Sequence, residues 1–142
     1  MLVELSRFKV KPGKSERVDA WLQALNDRMS ETLATLEREE MKFEVIFREL
    51  IGEDEYLTWV SVQGEDGAAV ESSPHAIDHV HLAFWRECID DEFGRHDAQP
   101  QVIMVPPAVA TAMAWADPAG SRVAFDNREI VFHRRPSDAD AP

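Results

Sequence analysis

The stretch Lys42–Gly64, KFEVIFRELIGEDEYLTWVSVQG, decides the fold. Two runs rich in β-branched and aromatic residues, Lys42–Leu50 and Glu55–Gly64, flank the acidic turn IGEDE, which is the pattern of a β-hairpin. In a strand, alternate residues face opposite sides of the sheet. Leu57 and Trp59 therefore share one face of the second run, while Tyr56, Val60 and Val62 share the other. In the first run, Phe43, Val45 and Phe47 stand against Ile46 and Leu50. Both faces of the hairpin are apolar, so both need cover.

Upstream, LVELSRFKV alternates Val3, Leu5, Arg7 and Lys9 with Glu4, Ser6, Phe8 and Val10, and KPG closes it: a first strand and its turn. After Ser15 the apolar residues Val18, Trp21, Leu22, Leu25, Met29, Leu33 and Leu36 recur in steps of three and four. That spacing predicts one long amphipathic helix to about Glu40. Downstream, SSPHAIDHVHLAFWREC (Ser72–Cys88) predicts a second helix, with Ser73 as N-cap, Pro74 at the first helical position and an end near Ile89. A polar loop, DDEFGRHDAQPQ, leads to VIMV, read as a fourth strand ending at Pro106.

The order β-α-β-β-α-β is that of an α+β, ferredoxin-like unit, an antiparallel sheet with both helices on one face. It is expected to occupy residues 1–107. Residues 108–142 read as a C-terminal extension that packs on the core or on a partner: a short helix around Thr111–Ala116, a hairpin turning at Asp126 and Asn127, and a disordered acidic tail, PSDADAP. Two helices cover one sheet face only. The simplest cover for the other is a second copy of the same sheet, which predicts a homodimer.

Composition narrows the partners. The chain has 142 residues, 44% of them hydrophobic, enough for one domain with a real core. Fifteen basic against 27 acidic residues give a net charge of −12, a field that repels nucleic-acid backbones and anionic membranes. No apolar run approaches the roughly 20 residues of a membrane span, and the N-terminus lacks a signal-peptide core. The single cysteine, Cys88, cannot form an internal disulfide. A cytoplasmic protein without nucleic-acid or membrane partners is expected.

The segments VELSRFKVKPGKSERVDAWL, EVIFREL, EYLTWVSVQGE and IDHVHLAFWRECID together resemble a bacterial family of unknown function. Its architecture is similar to the dimeric α/β-barrel superfamily, which includes the antibiotic-biosynthesis-type monooxygenases. The resemblance covers about Leu2 to Val105. It implies two ferredoxin-like sheets packed face to face, with a pocket between helices and sheet in each subunit. Superfamily members span cofactor-independent oxygenases, haem-degrading enzymes and isomerases, so it leaves the reaction open.

Helical projection divides the histidines of Ser72–Cys88. Ile77, Val80, Phe84 and Cys88 define a buried stripe that includes His81, flanked by Asp78 and Trp85, while His75, His79 and Arg86 turn outward. His81 is thus the candidate pocket base or hydrogen-bond donor, tuned by burial and by Asp78, and the competing reading is a half-buried structural histidine packed on Trp85. His75 and His79 have the i, i+4 spacing of two metal ligands but no third ligand, and a solvated face accounts for them better. No metal site is expected. Cys88 lies two turns from His81, too far for a thiolate–base pair, and reads as core.

Trp21 and Trp59 fit either an aromatic pocket wall or plain core packing. Among charged strand residues, Glu4, Arg7, Glu44 and Arg48 serve a pocket, an ion-pair network or wet strand ends. No phosphate-binding glycine loop, nucleophile elbow or cofactor motif is present, so no cofactor is expected.

Two functional classes follow. One is a homodimer that binds a small organic molecule in a pocket lined by Trp59, Trp85, Trp21 and Glu44 beside His81. The other is a cofactor-independent monooxygenase-like or isomerase-like enzyme in which His81, aided by Asp78, handles a proton. A structural or interaction protein ranks behind both.

Overall fold

The computed structural model describes residues 2–64 and 67–113. The hairpin is present as β2 (Met41–Ile51) and β3 (Asp54–Gln63), paired from Ile51 opposite Asp54 to Met41 opposite Gln63. Gly52 opens the two-residue turn at φ 66°, and Glu53 is not among the residues with positive φ, the pattern of φ signs in a II′ hairpin turn. β1 (Leu2–Lys9) lies antiparallel on the other side of β3, with Leu5 opposite Val60 and Phe8 opposite Leu57. A short β4 (His96–Ala98) completes a four-stranded antiparallel sheet in the order β2-β3-β1-β4. This mixed α+β arrangement is compatible with a ferredoxin-like unit.

The helix predicted between β1 and β2 is two helices, α1 (Ser15–Asp27) and α2 (Met29–Arg38). The break falls at Arg28, which has φ −109° and ψ 31°. Neither proline nor glycine marks it, and the apolar steps run through it, so periodicity gives no sign of it. Side chains repair the interruption: the Thr32 hydroxyl reaches the carbonyls of Leu25 and Arg28, and Arg28 pairs with Glu31 to start α2. Glu40, with φ 52°, then turns the chain into β2 as the left-handed residue after α2.

The third helix, α3, spans Ala76–Cys88. Its N-cap position falls on His75 rather than on Ser73. The Ser73 hydroxyl accepts the His75 N–H, so it shapes the approach to the helix, and Pro74 stands before the first turn.

The fourth strand also differs from expectation. Residues 102–105 form no strand, and Val102 and Met104 are 73% and 86% exposed. The free edge of β1 chooses the partner instead. Backbone bonds Lys11 N–H to Cys88 O and Asp90 N–H to Lys9 O bring the chain alongside β1 as soon as α3 ends. His96–Ala98 follow at once, fixed by the Ser6 hydroxyl donating to Asp97 at 2.6 Å and by Arg95 bridging Asp97 and Glu4. Polar side-chain bonds hold this strand, and hydrophobicity cannot reveal it.

The core lies between one sheet face and α1 and α3, built from Phe8, Val10, Val18, Trp21, Leu57, Cys88 and Ile89. A charged clamp joins the two helices at the surface, where Arg17 and then Lys14 bond Glu87 and hold its carboxyl down to about 2. The start of α1 is tied to the sheet by the buried Glu55, which accepts from Arg48 at 2.6 Å and from the Ser15 hydroxyl. No helix among the described residues is long and apolar enough to cross a membrane.

The chain divides after Met104, and the described part of the second unit holds α4 (Pro107–Ala112). This helix begins earlier than the predicted Thr111–Ala116, because Pro107 suits a first helical turn. The predicted hairpin around Asp126 and Asn127 and the acidic tail lie outside the described residues.

Leu57 is fully buried on the central strand β3. Leu57→Ala is expected to cost about 2–5 kcal/mol in urea unfolding; a loss below 1 kcal/mol would place the core elsewhere.

Candidate functional site

Four elements bring a cluster of rings together on the helix side of the sheet. β1 supplies Phe8, α1 supplies Trp21, β3 supplies Trp59, and α3 supplies His81, Phe84 and Trp85. Their contacts are mostly edge-to-face: Phe8 to Trp85 at 4.6 Å, Phe8 to Trp59 at 5.6 Å, and Trp21 to His81 at 5.2 Å between ring centres. Trp59 and Trp85 tilt against each other at 5.4 Å. Such pairs prefer this geometry because the ring edge is positive and the face negative.

Trp21 is completely buried, and its indole N–H requires an acceptor. It finds Nδ1 of His81 at 3.2 Å. A nitrogen that accepts this bond carries no proton, so neutral His81 is protonated on Nε2. Burial lowers the His81 pKa, and the nearby Asp78 carboxylate opposes that only in part. The neutral imidazole is thus the favoured form, with one nitrogen committed to Trp21 and an N–H on the other.

His81 and Trp85 border a pocket of about 540 Å³. Phe8, Leu82, Ile89 and Val70 add apolar wall, and Glu71, Arg86, Asp90, Asp91 and Arg95 supply charge. Arg95 is already paired with Glu4 and Asp97, so the carboxylates outweigh the available cations. The size is within the usual range of small-molecule sites.

The residues proposed from sequence separate into three places. His81 and Trp85 line the pocket. Trp21 and Trp59 stand behind them, Trp21 as fully buried core and Trp59 half-buried against Trp21, Phe8 and Trp85. Glu44 borders a different pocket, of about 330 Å³, between β2 and the α1–α2 break. Asp78 is buried in the first turn of α3 and forms no hydrogen bond with His81; its Oδ2 has no partner among the described residues. Among the charged strand residues, Arg7 turns to the opposite sheet face, where it bonds Glu49 and Thr58. His79 is exposed and His75 half-buried, and among the described residues no group of three or more His, Cys, Asp or Glu side chains could hold a metal.

Several site residues escaped sequence reading. Phe8 had a usable signal, its place on the inner face of an alternating strand. Val70 and Glu71 had none, because a polar connection carries them in as a 3₁₀ turn, Val70–Ser72. This connection is pinned to the end of α2 by Ala68 N–H to Arg38 O, Gly64 N–H to Glu40 O, and the Arg38 guanidinium to Ala69 O at 2.8 Å. Gly67 crosses so close to α2 that a Cβ there would lie 2.0 Å from the Glu39 carbonyl oxygen.

That pinning leaves Glu39 half-buried with its carboxyl pushed up to about 7, by burial first and then by the Asp78 and Glu44 carboxylates. Arg38 acts in the opposite direction and Glu71 in the same one. An acid whose folded pKa exceeds its unfolded value stabilises the fold in its protonated form. Its contribution is present below the unfolded value near 4.5 and is lost as pH rises toward about 7. Glu39→Gln should therefore match the parent's melting temperature near pH 4.5 and exceed it at pH 8. Equal melting temperatures at both pH values would show that Glu39 titrates normally.

A profile of a family of unknown function, DUF6176, matches residues 1–111. The chain belongs to this family. Among curated proteins none matches the chain. Membership fixes the extent of the shared unit, from β1 through most of α4, and assigns no reaction.

Proposed function

We propose that this DUF6176 protein is a cytosolic homodimer that binds a flat, uncharged organic molecule in the pocket beside His81. The observation that carries the reading is the Trp21–His81 hydrogen bond, which leaves a neutral imidazole with an Nε2 donor at an aromatic pocket wall. A carbonyl or phenolic oxygen suits that donor, and Phe8 and Trp85 suit the ring that bears it. Trp59 and Trp21 support the wall from behind. Cys88, a buried thiol, agrees with a reducing compartment.

The enzyme alternative, a monooxygenase-like or isomerase-like reaction using His81 and Asp78, is the less favoured. A general base needs a nitrogen lone pair, and Nδ1 gives its own to Trp21. In this arrangement His81 can steady a developing oxyanion by donation, but it takes up a proton only by releasing Trp21.

Binding is tested by tryptophan fluorescence with naphthoquinone, coumarin and flavonol as probes. At least one should bind, His81→Ala should weaken it about tenfold, the loss of one hydrogen bond, and Leu82→Trp should block it. Absence of binding at millimolar probe, with Leu82→Trp indistinguishable from the parent, would sink the reading. Oxygen uptake without added cofactor, abolished by His81→Ala, would transfer support to the enzyme.

The dimer reading, and with it the dimeric α/β-barrel assignment over residues 1–107, rests on the sheet face away from the helices. Register aligns Val3, Leu5, Val60, Val62, Val45, Phe43 and Phe47 there, with Phe43 47% and Phe47 52% exposed. A continuous apolar face of this kind on a sheet calls for a second layer. Light scattering after size exclusion should give twice the chain mass, and Phe47→Glu should give the monomer. A monomeric parent at micromolar concentration would remove the dimer.

A further inference from the structure

The pocket at Glu44 shares no lining residue with the pocket at His81. Its walls come from three elements that the helix break holds apart: Leu22 and Leu25 on α1, Met29, Leu33 and Leu36 on α2, and Ile46 on β2. Its few uncharged polar groups are already engaged. The Asn26 amide donates to the Leu22 carbonyl, and the Thr32 hydroxyl bonds the Leu25 and Arg28 carbonyls. No basic residue lines it.

Glu44 is the exception. It projects from β2, opposite Ser61 in the register, on the same sheet face as Ile46. Among the described residues its carboxyl has neither a hydrogen bond nor an ion pair, although both neighbouring inward charges, Arg48 and Glu55, are bonded to each other. Partial burial raises its pKa, and no cation among the described residues compensates for it. An unpaired carboxyl in the wall of an apolar pocket, with the Glu39 carboxyl near enough to feel its charge, has one complementary ligand chemistry. A hydrocarbon alone would strip the carboxyl of water and return nothing, and an acid would repel it. An ammonium group attached to a hydrocarbon satisfies both parts of the site, forming a charge-assisted hydrogen bond and burying its apolar body. The volume, about 330 Å³, suits a small molecule of that kind.

We propose that the pocket between α1, α2 and β2 is a binding site for a small hydrophobic primary amine, with Glu44 receiving the ammonium group and Leu22, Leu25, Leu33 and Leu36 the hydrocarbon. The site is separate from the one at His81 and stands or falls independently of it. The exposed rim, where Met29 and Leu33 are 43% and 54% exposed, provides the way in.

The test is a methyl-detected NMR titration of the full chain with phenethylamine and with its neutral counterpart phenethyl alcohol. The amine should move the Leu33, Leu36 and Ile46 methyl signals, and bind at least about tenfold more tightly than the alcohol. Glu44→Gln, which keeps the side-chain shape, should abolish that preference and leave alcohol binding unchanged. Leu33→Arg provides a second variant at an exposed position, where its guanidinium should exclude the amine without disturbing the core. Equal affinity for amine and alcohol, amine binding untouched by Glu44→Gln and by Leu33→Arg, or shifts confined to residues around Phe8 and Trp85 would each overturn the proposal.

Discussion

The indole N–H of Trp21 is the constraint around which this molecule is arranged. A completely buried donor in an aromatic core must be satisfied, and the acceptor it takes, Nδ1 of His81, belongs to another helix. One bond therefore sets the approach of α1 to α3, the rotation of α3 about its axis and the tautomer of the imidazole. Phe84 and Trp85 follow, because they share that helix and both rings pack on Trp21. Removing the bond would leave a donor buried without a partner, a cost comparable to losing a folded contact of about 1–3 kcal/mol.

Trp21, Trp59 and Trp85 together organise the space on the helix side of the sheet. Trp59 lies next to Ile46 in the register, meets Phe8 edge-to-face and tilts against Trp85. Ile46 lines the Glu44 pocket, whereas Phe8 and Trp85 line the His81 pocket. The aromatic core thus stands between two cavities of different chemistry. One has a neutral donor among aromatic walls, and the other has an unpaired carboxyl among leucines. Dense packing explains why they stay distinct, since interiors of this kind transmit shape and leave few connecting voids.

Charge is handled differently on the two sides of the sheet. On the helix side, Glu55, Arg48 and Ser15 satisfy one another, and Glu4 is drawn to Arg95 and Gln63. On the open side, Arg7, Glu49 and Thr58 close a polar group at one end of an otherwise apolar surface. Glu39 is the least comfortable charge, wedged under the segment that Gly67 allows to cross α2. Its carboxyl is pushed up to about 7 by burial first and then by the Asp78 and Glu44 carboxylates, and Asp78 comes from a helix distant in sequence.

Local chemistry was enough to determine much of this protein. The hairpin at Lys42–Gly64, the alternation of β1, the amphipathic faces of α1 and α3, the burial of Ile77 and Cys88 and the outward turn of His79 are all written in residue spacing, because strand and helix periods project directly onto faces. Sequence also singled out His81 and its neighbour Trp85. Only the tertiary structure decided the rest. The helix break at Arg28 leaves the apolar period intact. β4 is chosen by a free edge of β1 and held by Ser6, Asp97 and Arg95, so the apolar run at 102–105 was a false signal. The separation of Glu44 from His81, and the proton on Nε2, depend on which side chains meet across helices and strands. Such meetings are set by packing between distant segments, which no local period records.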